Sequence, residues 1–223
     1  MLDKYFNFTK VQDEYSVIDS FLEHTRIDEE ELGLLDQMVS FSCTQSRDKV
    51  PGLYEKITKI HTDSYRMFEN IAEQIVQADF DHQKQYDLFR LYNQIDSVSD
   101  TIIATAKRVK ILHNIGGCMP SNLESDATKM MKNVLKIHQS FKHALSQYQT
   151  NKREILNVIY TIVELSHEND DLCTNGIESL YHIGNQGSLN LGDFRAVENV
   201  LEYIRLLSKT IEQATTSLEW LLI

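Results

Sequence analysis

Asp96 and Asp100 stand four residues apart in the run Gln94-Ile95-Asp96-Ser97-Val98-Ser99-Asp100, within a stretch that has no proline or glycine between Gly52 and Gly116. At about 100° of rotation per residue, positions four apart lie one above the other on a helix. Two carboxylates so placed repel by roughly a few tenths of a kcal/mol unless a cation sits between them. The pair is therefore either a tolerated acidic face or a set of oxygen ligands for a hard cation such as magnesium or iron. Asp63 joins it if the second and third helices pack antiparallel, and His61 lies close enough in sequence to contribute.

His167 and Asp171 repeat the spacing in His167-Glu168-Asn169-Asp170-Asp171. Imidazole with carboxylate suits zinc or iron better than magnesium, although an exposed helix face looks the same. Arg205 and Lys209 have the same spacing with the opposite charge. They read as ordinary surface ion pairs, worth at most about 1 kcal/mol each, or as an anion site. No nucleophile elbow, Walker loop or dinucleotide glycine fingerprint occurs. Gly184-Asn185-Gln186-Gly187 follows no strand, and Cys173 reads as a packed small hydrophobe. Catalysis is not expected.

Long helices must position these residues. Two prolines and eight glycines in 223 residues leave few breaks. Asp28 reads as the N-cap of a first helix, with Leu32, Leu35, Met38 and Val39 on its apolar face. Residues 1–27 lack a sustained period and read as an N-terminal arm or short helix, whose aromatics (Tyr5, Phe6, Phe8, Tyr15, Phe21) suit docking. Pro51 opens a second helix that ends near Ala78. The third carries a seam of Leu88, Leu91, Ile95, Val98, Ile102, Ala106 and Val109, which puts the Asp pair roughly 120–160° away on the outer face. Gly116-Gly117-Cys118-Met119-Pro120 divides the chain. Helices over about 123–148, 152–183 and 193 to the end complete an all-α protein of two tandem three-helix bundles, 28–115 and 121–223. Asp63 with Asp171, and Val109 with Leu218, hint at duplication at a separation near 108.

A formal charge of −11 without a basic cluster argues against nucleic acid. No apolar run approaches the roughly 20 residues that span a bilayer, and no secretory signal is visible at the start. Cys43, Cys118 and Cys173 lack CxxC spacing and read as free thiols of a reducing cytosol.

The string Asp87-Leu88-Phe89-Arg90-Leu91-Tyr92-Asn93-Gln94-Ile95-Asp96-Ser97-Val98-Ser99-Asp100-Thr101-Ile102, followed by Ala106-Lys107-Arg108-Val109, resembles the PhoU-related accessory proteins of Pit-type phosphate transporters. The resemblance implies two three-helix bundles, a cytoplasmic location peripheral to the inner face of the membrane, and acid-x-x-x-Asp motifs that hold metal. It carries Asp96, Asp100, Asp63 and Asp171 over as motif positions. Lys59 and His167 replace the expected acids, and Arg205 and Lys209 reverse the charge of the last motif. That departure argues against two symmetric metal clusters.

The expected function is an accessory or regulatory role in inorganic phosphate transport, by docking to a Pit-type transporter, modulated by iron, zinc or magnesium. Self-association through an outer helical face is expected too. The alternatives are a metal-binding helical protein with no transporter role, and a general helical adaptor whose acidic face recognises a basic partner.

Overall fold

The computed structural model describes residues 14–148 and 150–222. Among the described residues six helices carry the fold: α1 (Glu14–Phe41), α2 (Val50–Gln77), α3 (His82–Asn114), α4 (Ser121–Ser146), α5 (Lys152–Asn185) and α6 (Leu191–Trp220). A 3-10 turn at Arg47–Lys49 links the first two. No strand occurs among the described residues, in agreement with the all-α, six-helix expectation.

The helix ends follow from local chemistry. Asp81, Asn151 and Asn190 cap α3, α5 and α6, accepting from the backbone N–H of Lys84, Glu154 and Asp193 at 2.9, 3.2 and 2.9 Å. Pro51 occupies the opening turn of α2. Gly116 and Gly187 follow α3 and α5 with φ of +77° and +70°, a left-handed conformation that glycine adopts without Cβ strain.

One end of the chain departs from the sequence reading. α1 begins at Glu14, so residues 14–27 are not an arm: they form its first half and bury Val17, Ile18, Phe21, His24 and Thr25. Asp28 is not an N-cap but a buried mid-helix residue. The polar positions His24, Asp28 and Glu31 on the buried face had hidden the helical period there. The aromatics Tyr5, Phe6 and Phe8 lie outside the described residues.

α2 packs on α1 and α3, and α5 on α4 and α6. The two triplets join along α3 with α6, the most extensive helix pair, and α1 with α4. Polar contacts mark the seam: Lys142 pairs with Glu29, and Arg108 lies 4.4 Å above the Tyr203 ring and donates to its hydroxyl at 2.7 Å. One continuous apolar core runs through both triplets.

Cys43, just past α1, and Cys118, in the α3–α4 connection, are disulfide-bonded with Cα atoms 5.2 Å apart. Sequence spacing across 75 residues had given no sign of that pairing. Cys173 is free and buried, as expected.

The duplication has a definite register. Phe21, His24, Asp28, Glu31 and Leu35 of α1 are buried, and so are Ala127, Met130, Val134, Ile137 and Phe141 of α4, each 106 positions on (24 to 130, 28 to 134). Leu88, Tyr92 and Ser99 of α3 match Val197, Leu201 and Ser208 of α6 at 109 (88 to 197). In α2 and α5 the buried Val50, Ile57, Ser64 and Ile75 match Ile155, Ile162, Asn169 and Leu180 at 105 (50 to 155). That register sets Asp63 against Glu168, three residues from the Asp171 that sequence alone aligned with it.

Candidate functional site

Asp96 is half-buried and Asp100 largely exposed on α3. Burial first, then the neighbouring Asp100, pushes the Asp96 carboxyl up to about 6. α2 brings His61 to them: its Nε2 lies 3.6 Å from Asp100 Oδ1, and its Nδ1 lies 3.0 Å from Ser99 Oγ. Ser99 Oγ donates to Glu31 Oε2 at 3.0 Å, so with Glu31 ionised His61 Nδ1 is the donor to Ser99. A polar chain therefore runs inward from Asp100 through His61 and Ser99 to Glu31.

Asp63 sits elsewhere. It is about 200° around α2 from His61, exposed, and lines a shallow outer groove with Tyr54, Glu55, Thr58, Lys59 and Thr62. Sequence reasoning had grouped Asp63 with the pair and had set His61 beside Asp63, whereas the structure brings His61 to Asp100.

Beneath the pair lies a set of buried ionisable groups that the sequence reading missed. His24, Asp28 and Glu31 follow one another at i, i+4 and i+7 on α1, each at most 1% exposed. His24 Nδ1 lies 3.2 Å from the Tyr92 hydroxyl, and its Nε2 lies 3.9 Å from Asp28 Oδ1, beyond hydrogen-bond reach. Burial drives the Asp28 carboxyl well up, with Glu31 and Asp96 adding repulsion. Burial lifts Glu31 to about 8 against the opposing Ser99 hydrogen bond. Burial, then His61, depresses His24 to about 4. His24 Nε2, Asp28 Oδ1 and Glu31 Oε1 have no hydrogen-bond partner. The signal was in the sequence, since their spacing continues the buried face of Leu32 and Leu35, but placing the helix start at Asp28 concealed it.

The second bundle is built differently. Arg205 and Lys209 occupy the places of Asp96 and Asp100 at the same separation of 109. Both close on Asp170, Arg205 at 3.6 Å and Lys209 at 2.8 Å. Glu202 pairs with Arg205 at 2.8 Å and Glu212 with Lys209 at 3.1 Å. His167 and Asp171 point outward on α5 and are exposed; it is Asp170 that meets the cations. Among the described residues, no three or more His, Cys, Asp and Glu side chains stand, as placed, in positions to hold a metal ion, and no helix is long and apolar enough to cross a membrane.

No family model and no curated protein matches the sequence. Solved structures do match its fold. A PhoU-like protein from Shewanella oneidensis is 15% identical with a TM-score of 0.79, covering 93% of this chain and 99% of that one. A PhoU-like phosphate regulatory protein from the same organism is 16% identical with a TM-score of 0.78 over 93% and 99%. PhoU from Pseudomonas aeruginosa is 12% identical with a TM-score of 0.76 over 92% and 95%. At such identities the likeness is one of architecture: the chain has the PhoU-like fold.

Proposed function

We propose that this protein regulates inorganic phosphate transport by docking on the cytoplasmic side of a Pit-type transporter, without catalysing a reaction. The observation that carries this reading is the fold: PhoU-like phosphate regulatory proteins share it over nearly the whole length of both chains. Fold alone hosts many functions, so the reading also leans on the acidic pair Asp96 and Asp100, which is solvent-accessible on one bundle only. In this reading the pair, with His61 beside it, binds an iron, zinc or magnesium ion and so biases docking. The reversed charges at Arg205 and Lys209 restrict that role to the first bundle and give the docking surface a polarity.

The test is affinity capture of the tagged full chain from gently solubilised native membranes, with mass spectrometry and a charge-matched helical control. The expected result is enrichment of a phosphate transporter, reduced for Asp100→Ala. Recovery of no phosphate transporter, with or without added iron or phosphate, would overturn the docking role.

A further inference from the structure

The two bundles share a burial register, yet at three matching positions of α1 and α4 their cores differ in charge character. Where α4 places Met130, Val134 and Ile137, α1 places His24, Asp28 and Glu31. Burying an ionisable group without compensation costs several kcal/mol. The matching positions of the second bundle show that this framework can be filled there by apolar side chains. A purely structural core would have no reason to keep three ionisable groups, each with an atom that nothing satisfies.

Those three atoms share one region. His24 Nε2 and Asp28 Oδ1 are 3.9 Å apart. Asp28 is repelled by Glu31 on its own helix and by Asp96 across on α3. Glu31 is anchored through its other oxygen to Ser99, and His24 through its other nitrogen to Tyr92. Glu31 and His24 are therefore each held by a second partner, while Asp28 makes no hydrogen bond among the described residues and lies free to turn between them. Outer hydrogen bonds of this kind orient metal ligands. Asp96, half-buried on α3, is close enough to repel both the buried Asp28 and the exposed Asp100.

We propose that His24, Asp28 and Glu31 form a buried site for a first-row divalent cation, beside Asp96. One imidazole nitrogen with two carboxylate oxygens is a donor set suited to manganese, ferrous iron or zinc rather than to calcium. Closing on the ion requires rotation of the Asp28 and Glu31 carboxylates about their terminal torsions, which are soft. The ion supplies the partner that all three orphaned atoms lack and relieves the repulsion among the acids. This site is distinct from the surface pair at Asp96 and Asp100 and does not depend on the docking role.

The experiment uses the full chain, stripped with chelator and exchanged into buffer, titrated with Mn2+ while the free-ion electron paramagnetic resonance signal is followed. Thermal unfolding with and without Mn2+ runs in parallel. The expected result includes a site, separate from any uptake at the surface pair, whose affinity falls at least tenfold in Asp28→Asn and in Glu31→Gln, but less than twofold in Asp100→Ala. The apolar replacements Asp28→Val and Glu31→Ile, taken from the second bundle, should unfold at a higher temperature than the stripped wild type and gain nothing from Mn2+. Failure of the wild type to take up Mn2+ overturns the proposal. So does a wild-type affinity that survives Asp28→Asn and Glu31→Gln but is lost in Asp100→Ala, which would leave only the surface pair.

Discussion

Lys209 Nζ lies 2.8 Å from Asp170 Oδ2, whereas Asp100, at the matching place in the first bundle, faces His61 Nε2 at 3.6 Å. One bundle thus closes its outer polar face with fixed ion pairs, and the other leaves carboxylates beside a titratable ring. Asp170 is the hub of the closed face, since it takes both Arg205 and Lys209. Side chains here are about a quarter to two-fifths exposed, so solvent screens the network. Asp170→Asn is expected to cost about 0.5–1 kcal/mol, read as a lower urea midpoint, and the loss should shrink above 0.5 M salt, on the order of a 4 Å screening length. A loss independent of salt would mean that packing, not charge, is at stake.

The buried acids set a pH dependence whose sign follows from linkage. Glu31 titrates near 8 in the folded chain and near the ordinary glutamate value when unfolded, so between those values the folded state holds more protons. Stability is then greatest at the acid end of that window and falls as pH rises through about 8. Asp28 and Asp96 act in the same direction, Asp96 over a window ending near 6. His24 and His138, both depressed to about 4, act in the opposite direction and remove stability as pH falls from the ordinary histidine value towards 4. Between about pH 6.5 and 8 the histidines are silent, and Glu31 and Asp28 together set the slope. Urea midpoints of the chelator-treated protein should therefore drop across that range, and Glu31→Gln should lessen the slope. An equally steep slope in Glu31→Gln would remove Glu31 as a source of it.

Much of the fold was legible because it rests on apolar spacing. The α3 seam, the Pro51 opening and the Gly116 break are read from residue types whose physics is local. The α2 and α5 limits fall within two residues of their expected places. What was not legible depends on tertiary placement. His24, Asp28 and Glu31 look like surface residues because ionisable side chains are seldom fully buried, and only the packed α2 and α3 show otherwise. Asp63 was grouped with the Asp pair because helix adjacency was known and helix rotation was not. Arg205 and Lys209 were recognised as a reversed motif, but their partner Asp170 could not be told from Asp171 one residue on.

The Cys43–Cys118 bond ties the end of α1 to the link between bundles, across 75 residues of sequence. Closing a loop of that length in the unfolded chain stabilises the native state by about 4.5 kcal/mol in the chain-entropy account, against about 2–4 kcal/mol for typical disulfides. Cys118→Ser is expected to lower the urea midpoint by a corresponding amount and to abolish any response to reductant. The wild type treated with dithiothreitol should match Cys118→Ser in its untreated form. A wild type that does not respond to reductant would show that the pair contributes nothing to stability.

Tyr92 couples the polar core to the apolar one. Its ring stacks between Phe21 at 5.1 Å and Phe68 at 5.3 Å, while its hydroxyl meets His24 Nδ1 at 3.2 Å. Tyr92→Phe keeps the stack and leaves the buried His24 Nδ1 unpaired, a loss of about 1–3 kcal/mol. His24→Met removes the ring that needs the hydroxyl and installs the residue that α4 uses at the matching position, Met130. In that background the hydroxyl itself becomes the unpaired group, so Tyr92→Phe should cost nothing or should stabilise. The double-mutant cycle, measured by denaturant unfolding of chelator-treated protein, is thus expected to return a coupling of about 1 kcal/mol or more. Additive losses would mean that the hydroxyl and the imidazole do not work as a pair, and that Tyr92 is held in place by its two phenylalanine neighbours alone.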